Sequence, residues 1–103
     1  MNEFTIIGRV VGVPEYDSTS NGTTIVRVVV EVERTFSKPD GTRTTDLFKV
    51  TSFGKTAEEL QRRCNFSTLL TIKGRLQASN RTGTDGKMYY NPELIAETIA
   101  YLQ

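Results

Sequence analysis

The sequence predicts a small closed β-barrel of five strands with one short helix between the third and the fourth. Three observations point there. Apolar residues recur with period two along most of the chain, Asx-Gly dipeptides separate the alternating segments, and the one stretch with helical spacing follows the third of them. The 103 residues make room for one domain, residues 1–103, with one small core.

Phe4, Ile6, Gly8 and Val10 alternate in the first strand, and Ile7 and Val11 add apolar character to its other face. The second strand spans residues 25–34. Val26, Val28, Val30 and Val32 point to the core there, and Arg27, Glu31 and Glu33 point to water. Residues 47–53 form the third, with Phe48 and Val50 inward and Leu47, Lys49, Thr51 and Phe53 outward. A helix is expected over residues 56–64. Thr56 and Glu59 have the spacing of a capping box, Ala57, Leu60 and Cys64 share one face, and Asn65 is the stop. The fourth strand, residues 69–77, turns Leu70, Ile72, Gly74 and Leu76 inward. The fifth covers residues 89–102 and is interrupted at Pro92. Asn21-Gly22, Asp40-Gly41 and Asp85-Gly86 supply the reversals between the other strands. This order is the layout of the OB-fold; a small open sheet with a helix over one end is the other arrangement that fits.

Composition narrows function. Thirteen Lys and Arg against twelve Asp and Glu give a net charge of +1, and no apolar run is long enough to span a membrane. Histidine is absent, which removes the commonest general base and metal ligand. Cys64 stands alone, so no internal disulfide forms, and with no signal-peptide pattern at the start a cytoplasmic location is expected. Gly54-Lys55-Thr56 lacks the first glycine of a phosphate-binding loop, since Lys49 stands in its place. Glu31 and Glu33 share a strand face without a third ligand and read as a solvated surface. No enzyme activity, metal or cofactor is expected.

The third strand carries the clearest functional signal. An ordinary wet face would not hold both Leu47 and Phe53. In a small barrel of this kind oligonucleotides lie over strands two and three, where bases stack on exposed aromatics and cations meet phosphates. The other reading of the pair is packing beneath a loop or against another subunit. Charge is segregated along the chain. Residues 34–87 hold eleven basic and five acidic side chains, a balance of +6, and the remainder balances to −5. Such a basic stretch interleaved with Phe36, Phe53 and Tyr89 suits a single-strand groove, although surface Lys and Arg also serve solubility alone.

Several stretches together resemble the DNA-binding domain of the bacterial single-stranded-DNA-binding protein family over nearly the whole chain. They are Ile7-Gly8-Arg9-Val10, Pro14-Glu15, Asn21-Gly22, ERTFSKPDGTRTTDLFKVTSFGKTAEE over residues 33–59, Lys73-Gly74-Arg75-Leu76 and YNPELIAETIAYL over residues 90–102. The resemblance implies an OB-fold homo-oligomer, a tetramer or a dimer, that coats single-stranded DNA without sequence preference in replication, recombination or repair. Phe36 and Phe53 match stacking aromatics of the family, Leu47 stands where an aromatic is usual, and Arg81 stands where many members carry tryptophan. The expected stacking residues are therefore Phe36, Phe53, Leu47 and Tyr89. The expected phosphate contacts are Arg34, Lys38, Arg43, Lys49, Lys73, Arg75, Arg81 and Lys87. No acidic tail for recruiting replication enzymes follows Gln103, so a complete chain would lack that recruitment. A primosomal or adaptor OB protein, working mainly through protein contacts, is the alternative.

Overall fold

Valine at every second position of the second strand decides which face turns inward. Val26, Val28 and Val30 are buried, and Val10, Val50, Leu70 and Ile72 close around them from the neighbouring strands. The computed structural model describes residues 1–102, apart from the side chain of Phe36. In chain order the elements are β1 (Phe4–Ser18), β2 (Thr24–Ser37), β3 (Arg43–Phe53), α1 (Gly54–Arg63), β4 (Leu69–Ala78), β5 (Arg81–Thr82), β6 (Met88–Tyr89) and β7 (Pro92–Tyr101).

Five strands close into a barrel in the order β1-β2-β3-β7-β4, with β4 returning to β1. This is the predicted barrel, with its helix between β3 and β4. β1 serves both sides of the closure, pairing with β4 through residues 4–9 and with β2 from Arg9 to Ser18. β3 and β7 run parallel, Val50 beside Leu94 and Thr51 beside Ile95; every other pair is antiparallel. α1 plugs the barrel with Ala57 and Leu60, and Cys64 follows as its buried C-cap. Two positions accept only glycine because strands meet there. A Cβ on Gly74 would stand 1.9 Å from the Ile95 carbonyl oxygen, and one on Gly8 would stand 2.3 Å from that of Glu31. The three Asx-Gly reversals form as expected, with φ of +88° at Gly22, +87° at Gly41 and +79° at Gly86.

The structure corrects several boundaries. β2 and β3 extend toward each other as far as the pair Ser37 and Arg43, beyond the expected ends at residues 34 and 47, so only residues 38–42 are left as the turn. α1 starts at Gly54, whose φ of +63° turns the chain straight from strand into helix. Phe53 is the N-cap, and no side chain caps the helix, Thr56 included. The fifth barrel strand begins at Pro92, which has no N–H to contribute and fits a first position; Tyr89 belongs to the separate β5–β6 hairpin. Leu76 is 42% exposed instead of inward. β1 begins at Phe4, opposite Gly74, so beyond that point β4 has lost its strand neighbour on that side. The Asn2 side chain fills in, donating from Nδ2 to the Leu76 carbonyl (2.6 Å) and accepting the Leu76 N–H (2.8 Å).

Candidate nucleic-acid interface

The outer face of β3 is built by alternation and bears out the split between its two faces. Leu47 is 63% exposed and Phe53 40% exposed, with Lys49 between them, and Phe48 and Val50 turn toward the core. Their neighbours on β2 are Glu31 beside Leu47, Val29 beside Lys49 and Ile25 beside Phe53. Thr51 departs from the expected pattern at 3% exposed. It lies between Arg27 on β2 and Ile95 on β7, both longer side chains, where the barrel closes.

Two hairpins leave the barrel at one end of this face. The β2–β3 turn is closed by the Gly41 N–H donating to the Lys38 carbonyl (2.8 Å) and the Thr42 N–H donating to Asp40 Oδ1 (2.9 Å). The β5–β6 hairpin precedes β7, and because Val50 sits beside Leu94 in parallel, β7 starts at the end of β3 from which the β2–β3 arms project. Of the expected stacking residues, Leu47 and Phe53 therefore share one strand face and Tyr89 stands on a neighbouring hairpin. The Phe36 side chain lies outside the described residues.

Five of the eight expected phosphate contacts hold a carboxylate. Arg34 donates twice to Asp46, from Nε to Oδ2 (2.9 Å) and from Nη2 to Oδ1 (2.8 Å). Lys73 meets Glu3 at 2.8 Å, Lys49 meets Glu15 at 3.2 Å, Arg75 meets Glu97 at 3.3 Å and Arg43 meets Glu33 at 3.6 Å. The Arg34 hydrogen bonds hold the Asp46 carboxyl below its usual range, and Asp46 in turn raises Arg34. Lys73 is raised by its hydrogen bond and charge contact with Glu3, with Glu97 adding to it. Lys38 and Lys87 have no carboxylate partner among the described residues, and Arg81 lies over the Tyr89 ring. A cleft of about 600 Å³ opens between β1 and the β2–β3 arms, lined by Ile7, Glu31, Glu33, Arg34, Arg43 and Leu69 among others.

The partner acids Glu3, Glu15, Glu33, Asp46 and Glu97 are what the sequence reading missed. No spacing rule reports them: Asp46 is paired with Val32 on β2, and Arg34 reaches it diagonally from two residues further along, beside a shift in register. Among the described residues, no group of three or more acids, cysteines or histidines could hold a metal ion. No helix is long and apolar enough to cross a membrane.

Residues 1–102 match the family described as the single-strand binding protein family. The chain belongs to that family. Single-stranded DNA-binding protein 2 of Staphylococcus aureus is 31% identical over 103 residues, all of this chain and 73% of its own length. A single-stranded DNA-binding protein of Bacillus cereus is also 31% identical, and there the chain spans 61% of the relative. A crystal structure of a deletion mutant of the single-stranded DNA binding protein from Thermus aquaticus superposes with a TM-score of 0.80 at 22% identity, covering 100% of this chain and 51% of that one. That likeness supports the OB-fold assignment. Within the single-strand binding family frame, the exposed face of β3 with its two flanking hairpins is the candidate interface.

Proposed function

We propose that residues 1–103 act as one single-stranded-DNA-binding domain, coating the strand without sequence preference and working as a homo-oligomer in replication, recombination or repair. The observation that carries this reading is the outer face of β3, where Leu47 and Phe53 are exposed on either side of Lys49 in a chain of the single-strand binding family. An apolar, partly aromatic surface gives every base a face to stack on, which suits binding that ignores sequence. Arg34, Lys38, Arg43, Lys49, Lys73, Arg75 and Lys87 supply charge to the phosphates, Phe36, Phe53 and Leu47 supply stacking or apolar contact, and Arg81 and Tyr89, a cation and an aromatic paired on the β5–β6 hairpin, act on the strand together.

Fluorescence anisotropy of labelled oligo-dT, titrated at several salt concentrations beside a duplex of equal length, tests the reading. Expected are tight binding to the single strand, weak binding to the duplex, and an affinity that falls as salt rises. Phe53→Ala is expected to weaken oligo-dT binding by about 1–3 kcal/mol with the salt slope unchanged, since a base contact releases no counterions. No binding to oligo-dT at low salt would instead favour an adaptor whose exposed β3 face takes a protein. Capture of the same partner before and after nuclease treatment would then establish that role.

A further inference from the structure

The β5–β6 hairpin forms its own two-stranded sheet and holds a side-chain arrangement that the other expected phosphate contacts lack. Arg81 and Tyr89 are cross-strand partners, and the guanidinium carbon lies over the tyrosine ring, 5.3 Å from its centroid. The ring is fixed from two further directions. Its hydroxyl donates to Asp85 Oδ2 at 2.6 Å, and Asp85 Oδ1 accepts the Lys87 N–H at 3.0 Å. The ring also lies against Gly83, where a Cβ would come within 2.4 Å of Tyr89 Cε2. The turn beneath is closed by the Gly83 N–H donating to the Lys87 carbonyl (2.8 Å) and the Gly86 N–H donating to the Gly83 carbonyl (3.0 Å). Both Arg81 and Tyr89 remain exposed to solvent.

We propose that Arg81 and Tyr89 form one stacking platform for a nucleobase, with the guanidinium plane between the ring and the base, so that Arg81 contacts a base and not a phosphate. The proposal rests on the single-strand-binding reading and assigns a role within it. A guanidinium is held over an aromatic face by the ring quadrupole, and its own flat face then takes a base as an aromatic would. Five other cations already hold a carboxylate that a phosphate can replace like for like. Arg81 has a ring in that place, and the ring is anchored before any strand arrives. Lysine cannot substitute here, because an ammonium is a point charge without a plane.

The test compares the full chain with Arg81→Lys, Arg81→Gln, Tyr89→Leu and the double variant Arg81→Gln/Tyr89→Leu. Each is titrated across a salt series against labelled oligo-dT and an abasic strand of the same length. Arg81→Lys and Arg81→Gln should each weaken oligo-dT binding about five- to tenfold. Neither should change the affinity for the abasic strand, which offers phosphates without bases. The double variant should bind no more weakly than Tyr89→Leu alone. Gly83→Ala displaces the ring and keeps the Arg81 charge, so it should match Tyr89→Leu; thermal melts check that each barrel is intact. Arg81→Lys or Gly83→Ala with full affinity would overturn the platform. So would equal weakening of both strands by Arg81→Gln with a salt slope reduced by about 0.7, the signature of one lost phosphate contact. A parent chain that fails to bind oligo-dT at low salt removes the single-strand reading itself, a different result from any of these.

Discussion

Tyr101, at the end of β7, packs on the barrel core with the Arg63 guanidinium over its ring at 4.1 Å, and its hydroxyl is buried with no hydrogen-bond partner among the described residues. Burial pushes its pKa up to about 12. The folded value lies above the unfolded one, near 10, so the linked stability is fully present below about pH 10 and is lost as pH rises toward 12. Tyr89, raised by its hydrogen bond to Asp85, acts in the same direction. Tyr101→Phe removes an unsatisfied polar group and is expected to stabilise the chain by about 1 kcal/mol in urea unfolding at pH 7. The variant should also lose less stability than the parent between pH 10 and 12. The sequence did not single out Tyr101, because an orphaned hydroxyl exists only once the strand is docked. Cys64 shows the opposite case. Helical spacing with Ala57 and Leu60 was enough to place it inward, and it is buried, with its thiol pKa raised by that burial.

Strand faces were legible because valine and isoleucine alternate with charged residues; strand ends were not. The arms around Ser37 and Arg43 carry Thr35, Thr44 and Thr45, polar residues that leave no period-two hydrophobic signal, and backbone pairing extends the strands there regardless. The helix start was misplaced for a related reason. Thr56 and Glu59 fit a capping pattern, yet the turn is made by Gly54 at positive φ, which no spacing rule reports. The β4–β7 seam offers the sharpest test at this scale. Gly74 approaches Ile95 so closely that a methyl group must force the two strands apart, with backbone as the obstacle. Gly74→Ala is expected to destabilise the barrel by about 3 kcal/mol, the upper end for overpacking. Gly22→Ala, with open space around its Cβ, should be the milder change, since it meets only the strain of a positive φ. Chemical denaturation of both variants checks the ranking, and equal losses would contradict it.

Folding undoes the segregation of charge seen along the chain. Lys73, Lys49, Arg43 and Arg75 come from the basic stretch of residues 34–87, and their partners Glu3, Glu15, Glu33 and Glu97 all come from the acidic remainder. Arg34 finds Asp46 within the stretch itself. Counting charge by position thus located the cations but not their electrostatic state, since pairing across strands depends on register. On the proposed single-strand reading, a strand of DNA meeting these side chains exchanges a carboxylate for a phosphate at each one. The freed carboxylate gathers cations from solution, so fewer counterions are released per contact than for an unpaired lysine. The salt slope of the parent chain should accordingly fall short of about 0.7 for each cation engaged. Asp46→Asn and Glu15→Gln, which release Arg34 and Lys49 from their partners, should each tighten oligo-dT binding at low salt and steepen the slope by up to about 0.7. Acidification is a poor substitute for the first variant. Arg34 holds the Asp46 carboxyl below its usual range, so protonation frees the arginine only in acid stronger than an ordinary carboxylate needs. The stability tied to that carboxyl is present above its unfolded pKa and is lost as pH falls through the folded one. Anisotropy titrations of both variants at neutral pH decide the point. Slopes identical to the parent's would mean that phosphates do not engage Arg34 and Lys49, and the path of the backbone would then run past the ion pairs, along Lys38 and Lys87 on the two hairpins.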